Sequence, residues 1–184
     1  MRHARNIAGA STWFALVLMI LCSALARAAQ DPRQIPLVDQ RGASFTLAAL
    51  KGRAVAVTFV ASRCSDVCPI SNAAFQTLAR RLASSGSNAT LVTITLDPGY
   101  DTPFVMSRVA RAMDADPNRW RVASGAPQDV ASLMHAFGVT VRNDKAGIPE
   151  EHSSFVYVFD RDGRLRRTLL LSTHVVDDAA AALR

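Results

Sequence analysis

Seven consecutive residues, Ala54-Val55-Ala56-Val57-Thr58-Phe59-Val60, carry no charge and show no apolar–polar alternation. A strand with one face in water alternates; a continuous run of this length is the pattern of a strand buried on both faces. Such a strand must lie inside a sheet covered by helices, and the downstream segments supply them. In residues 69–82, Ile70, Ala73, Ala74, Leu78 and Leu82 recur near helical spacing, and Ser84-Ser85-Gly86-Ser87 ends the helix. Residues 90–96 read as a second strand, 103–113 as a helix with proline in its first turn, and 120–123 as a short strand. A helix over 127–137 is closed by Gly138. Residues 154–159 and 165–171 flank Asp162-Gly163, a hairpin signal, and 176–183 form a closing helix. The stretch 29–40 lacks these patterns and reads as an extended arm leading into the domain.

Strands and helices in alternation followed by a hairpin are the order of an α/β, thioredoxin-like fold: a central mixed sheet flanked by helices, with a late β-hairpin. In open sheets of this kind, chemistry collects where a strand hands over to a helix. Cys64-Ser65-Asp66-Val67-Cys68-Pro69 occupies that place after the first buried strand. Two thiols so spaced can form a disulfide, attack one, or hold a soft metal ion. Pro69 disfavours helical geometry in the residue before it, which puts Cys68 at or next to the N-cap and Cys64 in the loop above. The positive end of the helix is expected to favour thiolate. His152 stands between a Gly147-Ile148-Pro149 loop and the apolar strand 155–159, and in a thioredoxin-like topology that loop faces the cysteines. An imidazole there narrows the choice towards metal. His3 lies in the leader, His135 in a helix, and His174 after the hairpin.

The third cysteine, Cys22, belongs to a leader. Arg2, His3 and Arg5 make a basic start, Trp13 to Leu21 an apolar core, and Ala26-Arg27-Ala28 a cleavage site of small residues, so residues 1–28 read as a signal peptide and 29–184 as the exported domain. An uncleaved membrane anchor is the alternative reading, although the apolar run is short of the roughly 20 residues that span a bilayer. Leu21 before Cys22 argues against lipid modification. Both readings place the domain outside the cytoplasm, periplasmic or otherwise extracytoplasmic, and the domain is expected to be a monomer. There a thiol pair oxidises unless it is metallated or kept reduced by a partner. The formal net charge of +6 includes Arg2, Arg5 and Arg27, leaving +3 (6 − 3) for the exported chain. With no aromatic–basic patch, nucleic acid is a poor partner. Arg161, Arg164, Arg166 and Arg167 around the Asp162-Gly163 turn read as a solvated turn, with docking to an acidic partner as the alternative.

The motifs together resemble the Sco/SenC/PrrC family of thioredoxin-like copper proteins. They are Phe59-Val60 leading to Arg63-Cys64-Ser65-Asp66-Val67-Cys68-Pro69, Leu96-Asp97-Pro98 with Asp101-Thr102-Pro103, Trp120 with Ser124-Gly125, His152-Ser153-Ser154, and Asp160-Arg161-Asp162-Gly163. The resemblance implies copper, Cu(I) or Cu(II), bound by Cys64, Cys68 and His152. It also implies delivery of copper to, or thiol reduction at, the dinuclear copper site of a respiratory cytochrome c oxidase, with the copper-site subunit or other periplasmic copper or thiol proteins as partners. Glu151 stands where the family usually has Asp, and the stretch from Val141 to His152 is shorter than in many relatives.

The donor chemistry agrees: two thiolates and an imidazole suit copper and could also hold zinc, but structural zinc sites usually have four protein ligands. Met106, Met113 and Met134 could add a thioether, though methionine at helical spacing is usually core. Two other functions use the same fold. A thiol–disulfide oxidoreductase needs only Cys64 and Cys68 as its redox pair. A peroxide-reducing thiol enzyme expects a proline where Ala61 stands, and fits less well. Asp97, Asp101 and Glu151 could suggest a hard-metal site, but the two aspartates read more simply as turn and helix-start residues.

Overall fold

The computed structural model describes residues 31–64 and 67–184. The leader with Cys22 and His3, and Ser65 and Asp66 of the cysteine loop, lie outside the described residues. The compact unit treated below runs from Pro32 to Arg184.

Its centre is a five-stranded sheet whose strands lie in the spatial order 120–123, 90–95, 55–60, 155–159 and 165–170. Strand β3 (Val55–Val60) and strand β4 (Thr90–Thr95) are buried at every position and carry no charge, and the hydroxyls of Thr58, Thr93 and Thr95 are hydrogen-bonded inside the protein. They pair in parallel from Val55 opposite Thr90 to Val60 opposite Thr95. Strand β5 (Trp120–Ala123) adds in parallel to β4. The crossovers are helix α1 (Val67–Ser84) and helix α2 (Pro103–Ala112). Both crossovers step in the same direction across the sheet, so a right-handed path places both helices on one face. Phe75, Leu78 and Leu82 of α1 and Met106 and Ala110 of α2 are buried there together, with Trp120. The indole Nε1 donates to Thr93 Oγ1 at 3.0 Å, which satisfies the one polar atom of that side chain.

Helix α3 (Pro127–Phe137) covers the opposite face and ends at Gly138 in the left-handed conformation, φ 66°. The chain then crosses to the other side of β3. Strand β8 (Phe155–Phe159) pairs antiparallel with β3, Val55 opposite Phe159, and strand β9 (Leu165–Leu170) completes the hairpin. Helix α4 (Val175–Ala182) returns to the α1 face. Side chains of β3 and β8 alternate between the two cores: Val57, Phe59, Tyr157 and Phe159 on the α3 side, Ala56, Val156 and Val158 on the α1 side.

Two segments depart from the sequence expectation. The stretch read as an arm is built into the domain: a 3-10 turn, Pro32–Gln34, leads into strand β1 (Leu37–Val38), paired antiparallel with strand β2 (Ser44–Phe45). Val38 exchanges backbone hydrogen bonds with Ser124 at 2.8 and 3.0 Å. Two-residue strands carry too little periodicity to be legible, and tertiary burial holds them: Leu37 and Asp39 are completely inaccessible. A second short hairpin, strand β6 (Val141–Asn143) with strand β7 (Pro149–His152), occupies what read as the loop before the last strands.

Because Leu37 is buried in the α3-side core, Leu37→Ala is expected to cost about 2–5 kcal/mol. Urea unfolding with an unchanged m-value would show this, whereas a peripheral arm would give a change below about 0.5 kcal/mol.

Candidate metal centre

Strand β3 delivers its chain to the carboxyl end of the sheet, and the cysteine loop begins there. Helix α1 starts at Val67, so Cys68 is its second residue, in the first helical turn. Pro69 still falls in that first turn, where its missing amide hydrogen leaves no bond unmade. Strand β8 runs back along β3, so the residues just before it arrive at the same end. His152 closes β7, opposite Val141, and Ser153 N–H donates to the Thr140 carbonyl at 3.0 Å, which holds the turn into β8.

These paths bring Cys64, Cys68 and His152 into one group, with all candidate donor atoms within 4.8 Å of one another. His152 Nε2 is 3.3 Å from Cys68 Sγ although the residues are 84 apart in the chain. His152 Nδ1 is 3.1 Å from the Ser153 carbonyl oxygen. A carbonyl can only accept, so Nδ1 carries the proton and the Nε2 lone pair is directed at the sulfur, as metal ligation requires. Cys64 and Cys68 are both buried, and neither is in a disulfide. Burial pushes the Cys68 thiol up to about 12, against a 3.3 Å hydrogen bond that the Ala61 amide donates to its sulfur. The expected thiolate-favouring helix end is therefore overridden by desolvation. Such a thiol is a poor free nucleophile at neutral pH, but it becomes a thiolate when a cation replaces its proton.

The family model described as SCO1/SenC matches residues 27–184. The chain belongs to the SCO1/SenC family. A SCO2-like protein of Rickettsia prowazekii is 29% identical over 139 residues, covering 73% of this chain and 67% of the relative. The structure of Bradyrhizobium japonicum ScoI with copper bound superposes with a TM-score of 0.70 at 28% identity, over 81% of this chain and 94% of that one. BsSco, a member of the Sco family of cytochrome c oxidase assembly proteins in which a disulfide switch was identified, shares the fold with a TM-score of 0.67 at 20% identity, over 81% and 92% of the two chains.

In this SCO1/SenC protein the Asp97–Asp101 segment does more than turn the chain. Asp101 is completely buried, and its carboxylate accepts from Ser62 N–H at 3.0 Å, from the Ser62 hydroxyl, and from Thr95 Oγ1 at 2.7 Å. Asp97 pairs with Arg63 at 2.6 Å, and the Arg63 guanidinium lies 4.2 Å from the centre of the Tyr100 ring. Two carboxylates thus clamp both residues that precede Cys64. Sequence reasoning assigned them to local turn chemistry; the helix cap is Thr102, which accepts from Val105 N–H. The signal that could have found the clamp is a pair of acidic residues at the end of the strand next to the cysteine strand. Glu151 pairs with Arg142, so the three acids form no hard-metal site. Exposed His135 and His174 do not join the group. Met106 and Met113 are buried in the core on the other face, and half-buried Met134 packs against the core that contains the cysteines.

Two outcomes follow. Copper must displace the Cys68 proton, so its affinity should rise about tenfold per pH unit across the neutral range for each thiol proton released; a flat profile in competition titrations would contradict the buried thiol. Asp101→Ala leaves three donors without an acceptor and should cost on the order of 3 kcal/mol, while Asp101→Asn, which can still accept two bonds and donate to the Ser62 hydroxyl, should cost clearly less. Thermal unfolding of both variants checks the order.

Proposed function

We propose that this protein is an exported copper carrier in which Cys64, Cys68 and His152 hold the ion as cargo, serving the dinuclear copper site of a respiratory cytochrome c oxidase. The observation that carries the reading is the His152 Nε2 lone pair 3.3 Å from Cys68 Sγ, beside a second thiol. Two thiolates and an imidazole match copper in softness, and three donors leave a position open for a partner's ligand. Family membership and the copper-bound ScoI relative support the same assignment. Delivery of the ion is the preferred role over thiol reduction, because the buried, high-pKa Cys68 is a weak attacking thiol. The chain is read as cleaved after residue 28, periplasmic and monomeric; among the described residues no helix is long and apolar enough to cross a membrane. N-terminal sequencing of the exported protein tests the cleavage.

A second reading, thiol–disulfide oxidoreductase, rests on the proximity of the two sulfurs and on the disulfide switch identified in BsSco. His152 separates the two, since disulfide exchange needs no imidazole. His152→Ala is expected to lower Cu(II) affinity by more than about tenfold and to abolish the sulfur-to-copper charge-transfer absorption. It should leave the Cys64–Cys68 redox equilibrium near the parent value. His135→Ala and His174→Ala should match the parent in both. Parent-like copper binding in His152→Ala would move the oxidoreductase reading to first place.

A further inference from the structure

The charge of this protein is gathered at one end. Residues 32–184 hold eighteen Arg and Lys against fourteen Asp and Glu. Six of those cations, Arg53, Arg161, Arg164, Arg166, Arg167 and Arg184, are exposed at the end of the sheet remote from the cysteines. Arg53 precedes β3, and Gly52 beside it donates its amide to the Arg161 carbonyl at 2.8 Å. Arg164, Arg166, Arg167 and Arg184 line one open groove between the β8–β9 hairpin and α4. The acids of that groove are Asp160 and Asp162, and Asp162 holds Arg164 at 2.8 Å. All other residues of this stretch hold twelve cations and twelve acids, so the surplus belongs to these six.

One further feature bears on what the surface fits. Leu165, 53% exposed, stands between Arg164 and Arg166. Phosphate-binding cations and an exposed leucine among them coincide. Nucleic acid would use the cations and leave the leucine unexplained.

We propose that this face seats on an anionic phospholipid surface, with the arginines on headgroup phosphates and Leu165 at the edge of the acyl region. The group of Cys64, Cys68 and His152 then points away from the bilayer, towards a partner. The proposal does not depend on copper.

The test uses the exported protein with its own N-terminus and vesicles of phosphatidylcholine, alone or with about one-third phosphatidylglycerol. Co-sedimentation should be at least about tenfold tighter on the anionic vesicles and should lose that excess in high salt. The Arg164→Glu, Arg166→Glu, Arg167→Glu variant should lose more than about thirtyfold on anionic vesicles only. Arg108→Glu, Arg111→Glu, a like change on α2, should be nearly silent. Circular dichroism confirms folding, and if the glutamate variant does not fold, the same three positions as Gln should show a smaller loss in the same direction. Equal binding to both vesicle types, or equal loss in the α2 variant, overturns the proposal. So does arginine-dependent capture by polyglutamate or duplex DNA with no preference for anionic vesicles.

Discussion

The structure depends on one strand being paired on both sides. Strand β3 accepts β4 in parallel and β8 antiparallel, and each pairing does a different task. The parallel partner sends the chain back to the same end of the sheet, where the Asp97–Asp101 segment meets the cysteine loop. The antiparallel partner starts at that end, so the residues before it, including His152, arrive beside the sulfurs. Removing the antiparallel pairing would leave two of the three donors without the third, and removing the parallel one would leave the cysteine loop without its Asp97–Asp101 clamp. A strand with charged positions could not serve, because both of its faces are filled by core side chains, and its one polar residue, Thr58, donates to the Phe155 carbonyl.

Above that frame the site is held by polar contacts in a desolvated setting. Asp101 is a buried carboxylate whose donors are two hydroxyls and one amide. Such a group is tolerated only when its oxygens are satisfied, and satisfying it fixes the residue two before Cys64. Beneath the loop, the rings of Phe59, Phe137 and Tyr157 meet edge to face, with Phe59 and Tyr157 centroids 5.4 and 4.9 Å from that of Phe137. The Tyr157 hydroxyl donates to the Phe137 carbonyl at 2.9 Å, tying the end of α3 to the sheet. The cysteines thus sit on rigid packing and under rigid hydrogen bonding. That arrangement lowers the reorganisation needed to receive a metal ion.

Burial also decides the chemical character of the thiols. A helix N-terminus favours thiolate in a partly exposed cysteine, but Cys68 is 2% exposed, and the cost of an uncompensated charge there dominates. An incoming cation removes that cost by supplying the compensating charge itself. The Cys68 thiol is therefore quiet on its own and receptive to a soft ion.

Much of the architecture was legible in the chain itself. Strands 55–60 and 90–95, the helix over 127–137 with its glycine stop and the hairpin around Asp162-Gly163 are written in local period and turn chemistry, which depend on near neighbours. Cys64, Cys68 and His152 could be singled out because their residue types allow few chemistries. Contacts between distant segments could not be read that way. The burial of Leu37, the β6–β7 hairpin that presents His152, the reach of Asp101 to Ser62 and the high pKa of Cys68 leave no periodic trace. Residue type and spacing determined which groups could act; the pairing of β8 with β3 and the exclusion of water decided which of them meet and in what protonation state. Local preference acts over a few bonds, whereas desolvation and donor geometry exist only once remote segments are packed together.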